Sequence, residues 1–189
     1  MQKVFSIDNN AIDELFIKIS LNDMDSLEKL YGATKTMIFG YAFSILKNVS
    51  ESEDVMQDTY INIYKNIDKY NSRNKALAWM ITITKNLCLE KIRRKKRIDF
   101  DTLDNVDNYL KSKDSSYDKV LINAILNEMT DEERQIFILN INCGFTFLEI
   151  SRMLDLKLPT VLSKYNRAIK KVRKKYKEEI WKRKVWKII

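Results

Sequence analysis

The segment that most limits what this chain can fold into runs from Gly144 to Arg173. Phe147, Ile150, Ser151 and Leu154 follow the i, i+3, i+4, i+7 spacing of a buried helix face. Val161, Tyr165, Ala168, Ile169 and Val172 give a second helix its inner face. Between them Asp155-Leu156-Lys157-Leu158 reads as a tight turn, and Pro159 suits a first helical turn, where its missing amide is not needed. Thr160, Ser163, Lys164, Asn166, Arg167 and Lys170 are left facing outward. Two short helices with a polar, basic outer face form the layout that carries side chains into a DNA major groove. The plainer alternative is a helical hairpin with a polar exterior.

The rest of the chain agrees with an all-α fold. Three Gly and one Pro in 189 residues leave few places to break a helix. Apolar residues at 45% are enough for a core. Two helical blocks are expected, at 11–97 and 117–176, making two small domains. Between them, residues 98–116 are polar, rich in Asp and Asn, and poor in apolar side chains. Such a segment buries little surface, so a flexible acidic connector is expected, reaching about 60 Å if fully extended. In the first block, Ser26–Leu46, Glu53–Tyr70 and Ala76–Arg97 read as helices, with the polar Asn71–Lys75 as a loop. Val55, Thr59, Tyr60, Ile63 and Ile67 share one face of the second of these. Ser50–Glu53, Thr130–Glu133 and Thr146–Glu149 fit the capping-box pattern of helix starts.

Charge narrows the partner. The net charge is +8, yet residues 1–90 sum to −2 and residues 98–116 to −3. Six cations crowd into Lys91–Arg97, and residues 117–189 add +7. The helix macrodipole favours one or two cations at a C-terminus, whereas like charges at i, i+3 and i+4 repel. A polyanion that exchanges counterions for Lys and Arg explains the cluster better. Loop residues Asn71–Lys75 precede Trp79, and amide and cationic side chains can capture unstacked bases. By composition alone a plain surface loop with Trp79 in the core is the stronger reading there.

Other chemistry finds no support. The chain has no His, no Gly-rich phosphate loop and no catalytic constellation, so an enzyme is not expected and no cofactor is implied. Cys88 and Cys143 lack metal-site spacing, so no metal site is expected. Both read as reduced core thiols of a cytoplasmic protein. The first residues lack a signal-peptide h-region, and the apolar run Met37–Leu46 is too short for a bilayer.

Several motifs, taken in order, resemble the sigma-70 family of bacterial RNA polymerase sigma factors, in its compact extracytoplasmic-function (ECF) group. They are Ser26–Tyr31, Ser52–Tyr60, Ala78–Leu87, Arg93–Arg97, Met129–Arg134, Glu149–Ser151, Pro159–Lys164 and Arg167-Ala168. The resemblance spans roughly residues 12–97 and 117–174. It implies that 11–97 is domain two and 117–176 domain four, and that the chain makes core RNA polymerase promoter-specific. It implies that Asp54, Gln57 and Asp58 dock on the polymerase clamp. Residues 71–75, among them Asn71, Asn74 and Lys75, would capture a flipped base of the −10 element. Lys85, Asn86 and the 91–97 cluster, including Lys91, Arg93 and Arg94, would meet DNA upstream of it. Thr160, Leu162, Ser163, Lys164 and Arg167 would read the −35 element. Core polymerase and promoter DNA are the implied partners, with an anti-sigma factor as a third and a membrane reached only through it. The linker would thread through polymerase near the RNA path.

Three positions depart from the family pattern. Asp155 replaces a usual Gly, Lys164 a usual Arg, and Leu162 a usual polar residue. Lys lacks the rigid fork that suits Arg to a bidentate guanine contact, so that readout is less expected here, while Leu can meet a thymine methyl. The tail, 177–189, with Trp181 and Trp186, lies beyond the pattern. It reads as an extra packing helix, a regulator contact or a membrane-surface segment, in that order. The rival reading of the whole is a stand-alone helix-turn-helix regulator, which would need only the second block.

Overall fold

A computed structural model describes residues 9–71, 75–101, 126 and 128–175, with the backbone alone for 98–101, 174 and 175. The chain divides into two units. The first holds α1 (Asn9–Ser20), α2 (Met24–Leu46), α3 (Val49–Asn66), a 3₁₀ turn (Ile67–Lys69) and α4 (Ala76–Asp101). The second holds α5 (Asp131–Ile141), α6 (Phe147–Leu154) and α7 (Leu158–Lys175). Among the described residues there is no strand, and no helix is long and apolar enough to cross a membrane.

In the first unit α2, α3 and α4 pack pairwise, with α1 against α2 and α4. Leu30, Ile38, Tyr41, Ile63, Met80 and Ile81 are almost fully enclosed, each stabilising the fold by about 1.5–3 kcal/mol. The five residues expected to share one face are all buried, four on α3 and Ile67 in the 3₁₀ turn. Two hydroxyl pairs cross this core, Thr34–Tyr60 at 2.8 Å and Thr59–Thr84 at 3.3 Å, so the buried polar atoms are satisfied. A second cluster of Ala42, Leu46, Val55 and Cys88 extends toward Leu87 and Ile92. Packing therefore continues beneath the start of the basic run, as far as Ile92. Both thiols are free and buried, and burial pushes Cys88 up to about 12, which leaves it unreactive.

Helix ends follow local chemistry. Asp23 opens α2 by accepting the hydroxyl of Ser26 and the amides of Ser26 and Asp25. These bonds hold its carboxyl below the usual range, those from Ser26 most. Lys47 closes α2 in the left-handed region at φ 56°. Asn48 then caps α3, accepting the Glu51 amide at 2.9 Å. The start expected at Ser50 therefore lies two residues earlier, because Asn48 reaches the free amides first. The helix expected to run to Tyr70 ends at Asn66 and tightens into the 3₁₀ turn. α4 passes Arg97 and continues to Asp101, four residues into the expected connector; of 102–116, as of 177–189, nothing lies within the described residues.

In the second unit both expected capping boxes form, at Thr130–Glu133 and Thr146–Glu149. Gly144, at φ 74°, lets the chain turn between α5 and α6. Asp155 takes the left-handed position after α6, at φ 55°, where a Gly is usual. Asp is one of the few side chains that tolerate this region. The Leu156 amide then bonds back to the Ser151 carbonyl at 2.9 Å, and the turn closes without glycine.

Candidate nucleic-acid interface

The loop before α4 is organised by Tyr70. Its hydroxyl donates to Asp13 Oδ1 at 2.6 Å and accepts the Lys75 amide at 3.4 Å. Its ring meets Phe16 edge-on at 4.9 Å and tilts against Trp79 at 5.1 Å. α1 thus supplies an acceptor for the Tyr70 hydroxyl and a buried ring behind it, and Asn9 accepts the Leu77 amide to steady the start of α4. The result is an open groove of about 280 Å³ lined by Lys69, Tyr70, Asn71, Lys75, Trp79 and Thr82. An aromatic wall with cationic and amide groups at the rim suits one unstacked base. Of the expected capture residues, Asn71 and Lys75 are exposed here, whereas Asn74 lies outside the described residues. Trp79 is half-buried, so it serves both core and groove. Sequence reasoning missed Tyr70, Lys69 and Thr82; the one available signal was an aromatic residue directly before Asn71.

The acidic face of α3 and the basic end of α4 are neighbours. Asp54, Gln57 and Asp58 are exposed, as their spacing suggested. Asp54 accepts Lys91 Nζ at 2.7 Å, and Glu51 pairs with Lys95 at 3.5 Å. Arg94 pairs with Glu90 of its own helix at 2.5 Å. Arg93, Lys96 and Arg97 are exposed and form no ion pair among the described residues. The cluster is therefore less bare than its sequence implied, because the fold brings carboxylates of α3 beside it. Pairs this exposed are worth about 0–1 kcal/mol and exchange readily for phosphate. Asn86 is exposed and Lys85 half-buried on the same helix.

α6 and α7 form the helix-turn-helix expected from their spacing. Ile150, Ser151, Val161, Ala168 and Val172 are buried, and Phe147 packs edge-on against Tyr165 at 4.8 Å. Ser163, Asn166, Arg167 and Lys170 face solvent, and Leu162 keeps 38% of its surface exposed. Two positions depart from the expected outer face. Thr160 is half-buried, and Lys164 is drawn into an ion pair with Glu132 that leaves 20% of its side chain exposed. For Lys164 the cause is the packing of α7 against the first turn of α5, which the capping-box sequence had marked only as a helix start.

Glu133 in that turn is 3% exposed. Lys171 Nζ donates to it at 2.6 Å, the Thr130 amide at 3.0 Å, and Arg167 lies 3.6 Å away. Burial alone would raise its carboxyl, but the Lys171 bond, the Thr130 amide and the two cations outweigh it and hold it low. Its contribution to stability is therefore present above the ordinary value of 4.5 and is lost as pH falls through the lower native value. Melting temperature should fall with pH below about 4.5 more steeply in the parent chain than in Glu133→Gln. Parallel curves would contradict this.

Comparison with known proteins gives a consistent result. Residues 30–98 match the model for sigma-70 region 2, and residues 119–172 match that for sigma-70 region 4. The ECF RNA polymerase sigma factor SigK of Mycobacterium tuberculosis (strain ATCC 25618 / H37Rv) is 24% identical over 174 residues, covering 87% of this chain and 93% of its own. SigW of Bacillus subtilis (strain 168), also an ECF sigma factor, is 23% identical over 185 residues, covering 85% and 94%. Among solved structures, the sigma factor RpoE in complex with the anti-sigma factor NepR from Bartonella quintana superposes with a TM-score of 0.64 at 20% identity. It covers 80% of this chain and 97% of that one. CnrH in complex with the cytosolic domain of CnrY gives 0.62 at 17% identity, covering 89% and 99%.

Proposed function

Because the chain belongs to the sigma-70 family, in its extracytoplasmic-function (ECF) group, we propose that it divides promoter-specific initiation among the surfaces described above. The chain is a sigma factor: it binds core RNA polymerase and directs transcription initiation at promoters. Residues 11–97 act as the docking and −10 module, 117–176 as the −35 module, and 98–116 as the link between them. Asp54, Gln57 and Asp58 present a polar, acidic face to a basic surface of the polymerase. Asn71, Lys75 and Trp79 take up one base flipped from the −10 element. Lys85, Asn86, Lys91, Arg93 and Arg94 follow the phosphates beside it. Thr160, Leu162, Ser163, Lys164 and Arg167 meet the −35 element. The protein works in the cytoplasm and catalyses no reaction of its own. An anti-sigma factor is a fitting further partner, since RpoE, which superposes on this chain, was solved in complex with the anti-sigma factor NepR.

The observation that carries this reading is the aromatic groove beside the basic helix. A stand-alone regulator would use the helix-turn-helix and leave that groove without a purpose. Flipping a base costs a few kcal/mol, and stacking on an aromatic ring returns about 1–3 kcal/mol of it. Trp79→Ala should therefore lower open-complex formation by about five- to a hundredfold, followed by the fluorescence of 2-aminopurine placed in the −10 element. Affinity for core polymerase should stay within about twofold, since docking uses the opposite kind of surface. Unchanged melting by the variant would remove the groove from the mechanism.

A further inference from the structure

The first turn of α5 carries three carboxylates in different surroundings, and Asp131 is paired with Arg134 of its own helix. Glu133 is enclosed, completes the capping box and ties α5 to α7. Glu132, beside it, keeps 52% of its side chain exposed. It takes no part in the cap, and its ion pair is with Lys164. The fold has little use for Glu132, yet this carboxylate occupies a cation on the helix assigned to the −35 element.

We propose that Glu132 is a positioning residue for promoter recognition: it holds the Lys164 ammonium where α5 crosses α7 and competes with DNA phosphate for it. The proposal rests on the reading of α7 as the −35 helix. Lys carries a compact charge on a flexible four-carbon stem, so its ammonium can swing from a carboxylate to a phosphate while the backbone stays fixed. The Glu132 half of the pair is 52% exposed, so water screens it and a phosphate can reach the ammonium, which makes the exchange feasible. While the pair is closed, Lys164 neutralises no phosphate and releases no counterion. Upstream binding is then weaker, and less salt-dependent, than the cations of α7 would otherwise give. Lys171 and Arg167 are held differently, by the enclosed Glu133, so Lys164 is the cation whose release leaves the packing intact.

The test uses holoenzyme reconstituted from the full chain and core polymerase, and a duplex carrying the upstream element of a promoter it transcribes. Affinity is measured across a salt series for the parent, Glu132→Gln, Lys164→Ala and the double variant. Lys164→Ala should weaken binding about three- to tenfold and flatten the slope of log affinity against log salt by about 0.9. Glu132→Gln should strengthen binding by a similar factor and steepen the slope, with an unchanged melting temperature. In the Lys164→Ala background Glu132→Gln should do nothing. A weakened Lys164→Ala with a neutral Glu132→Gln overturns the proposal alone. So does a Glu132→Gln gain that is equal in both backgrounds, which would mean simple repulsion of DNA by a carboxylate. A neutral Lys164→Ala removes Lys164 from the −35 reading and the proposal with it.

Discussion

Replacing Arg134 with Ala is expected to destabilise the second unit by about 3–5 kcal/mol, because it leaves buried partners unpaired and opens a cavity. The residue is 1% exposed. Its Nε donates to the Leu126 carbonyl at 2.8 Å and one terminal nitrogen to the Met129 carbonyl at 2.9 Å. The other terminal nitrogen reaches Asp131 at 3.1 Å. The planar guanidinium thus binds the chain segment before α5 to the first turn of that helix. Truncation strands two carbonyls, each at a cost of about 1–3 kcal/mol. Lys should not rescue it, since one ammonium cannot span the same three acceptors. Hydrogen exchange of α5–α7 amides in the full chain reads the loss directly, with α2–α4 as the internal reference. A loss below about 1 kcal/mol would show that the guanidinium is not what holds this end of the unit.

The double variant Asp54→Lys/Asp58→Lys should bind core polymerase at least a hundredfold more weakly. Like charges brought together at an interface cost several kcal/mol. Asp54 and Asp58 are one turn apart on the exposed side of α3, away from Val55, Thr59 and Ile63. The fold should therefore survive, apart from the lost pair between Asp54 and Lys91. Asn at both positions should cost less, because it removes attraction without adding repulsion. Affinity by fluorescence anisotropy on labelled full-length chain measures both. Reversal variants that bind like the parent would place docking on another face.

Much of this architecture was legible in the sequence because it is local. Period and capping residues marked α2, α3 and α4 and the helices of the second unit, whereas α1 was not read as a helix; Thr130 and Thr146 marked two starts where they occur. The start of α3 was misread because two candidate caps lie two residues apart, and only the left-handed Lys47 decides for Asn48. The sites were less legible because they depend on contacts distant in sequence. Tyr70 organises its loop through Asp13, 57 positions earlier. Lys164 is turned by a carboxylate 32 positions away, and Lys91 by one 37 positions away. A residue's place on its own helix predicts which way it faces, not which charge waits there. Leu162 needed no partner to be read, and it lies exposed as its position on the helix suggested.

The most direct test is transcription itself. Purified full-length chain is added to core RNA polymerase freed of other sigma factors, with genomic DNA of the source organism as template. Discrete transcripts are expected to start at a defined set of promoters, none of them made by core polymerase alone. The same scattered initiation with and without the chain, at every salt concentration, would contradict its role as a promoter-specificity factor.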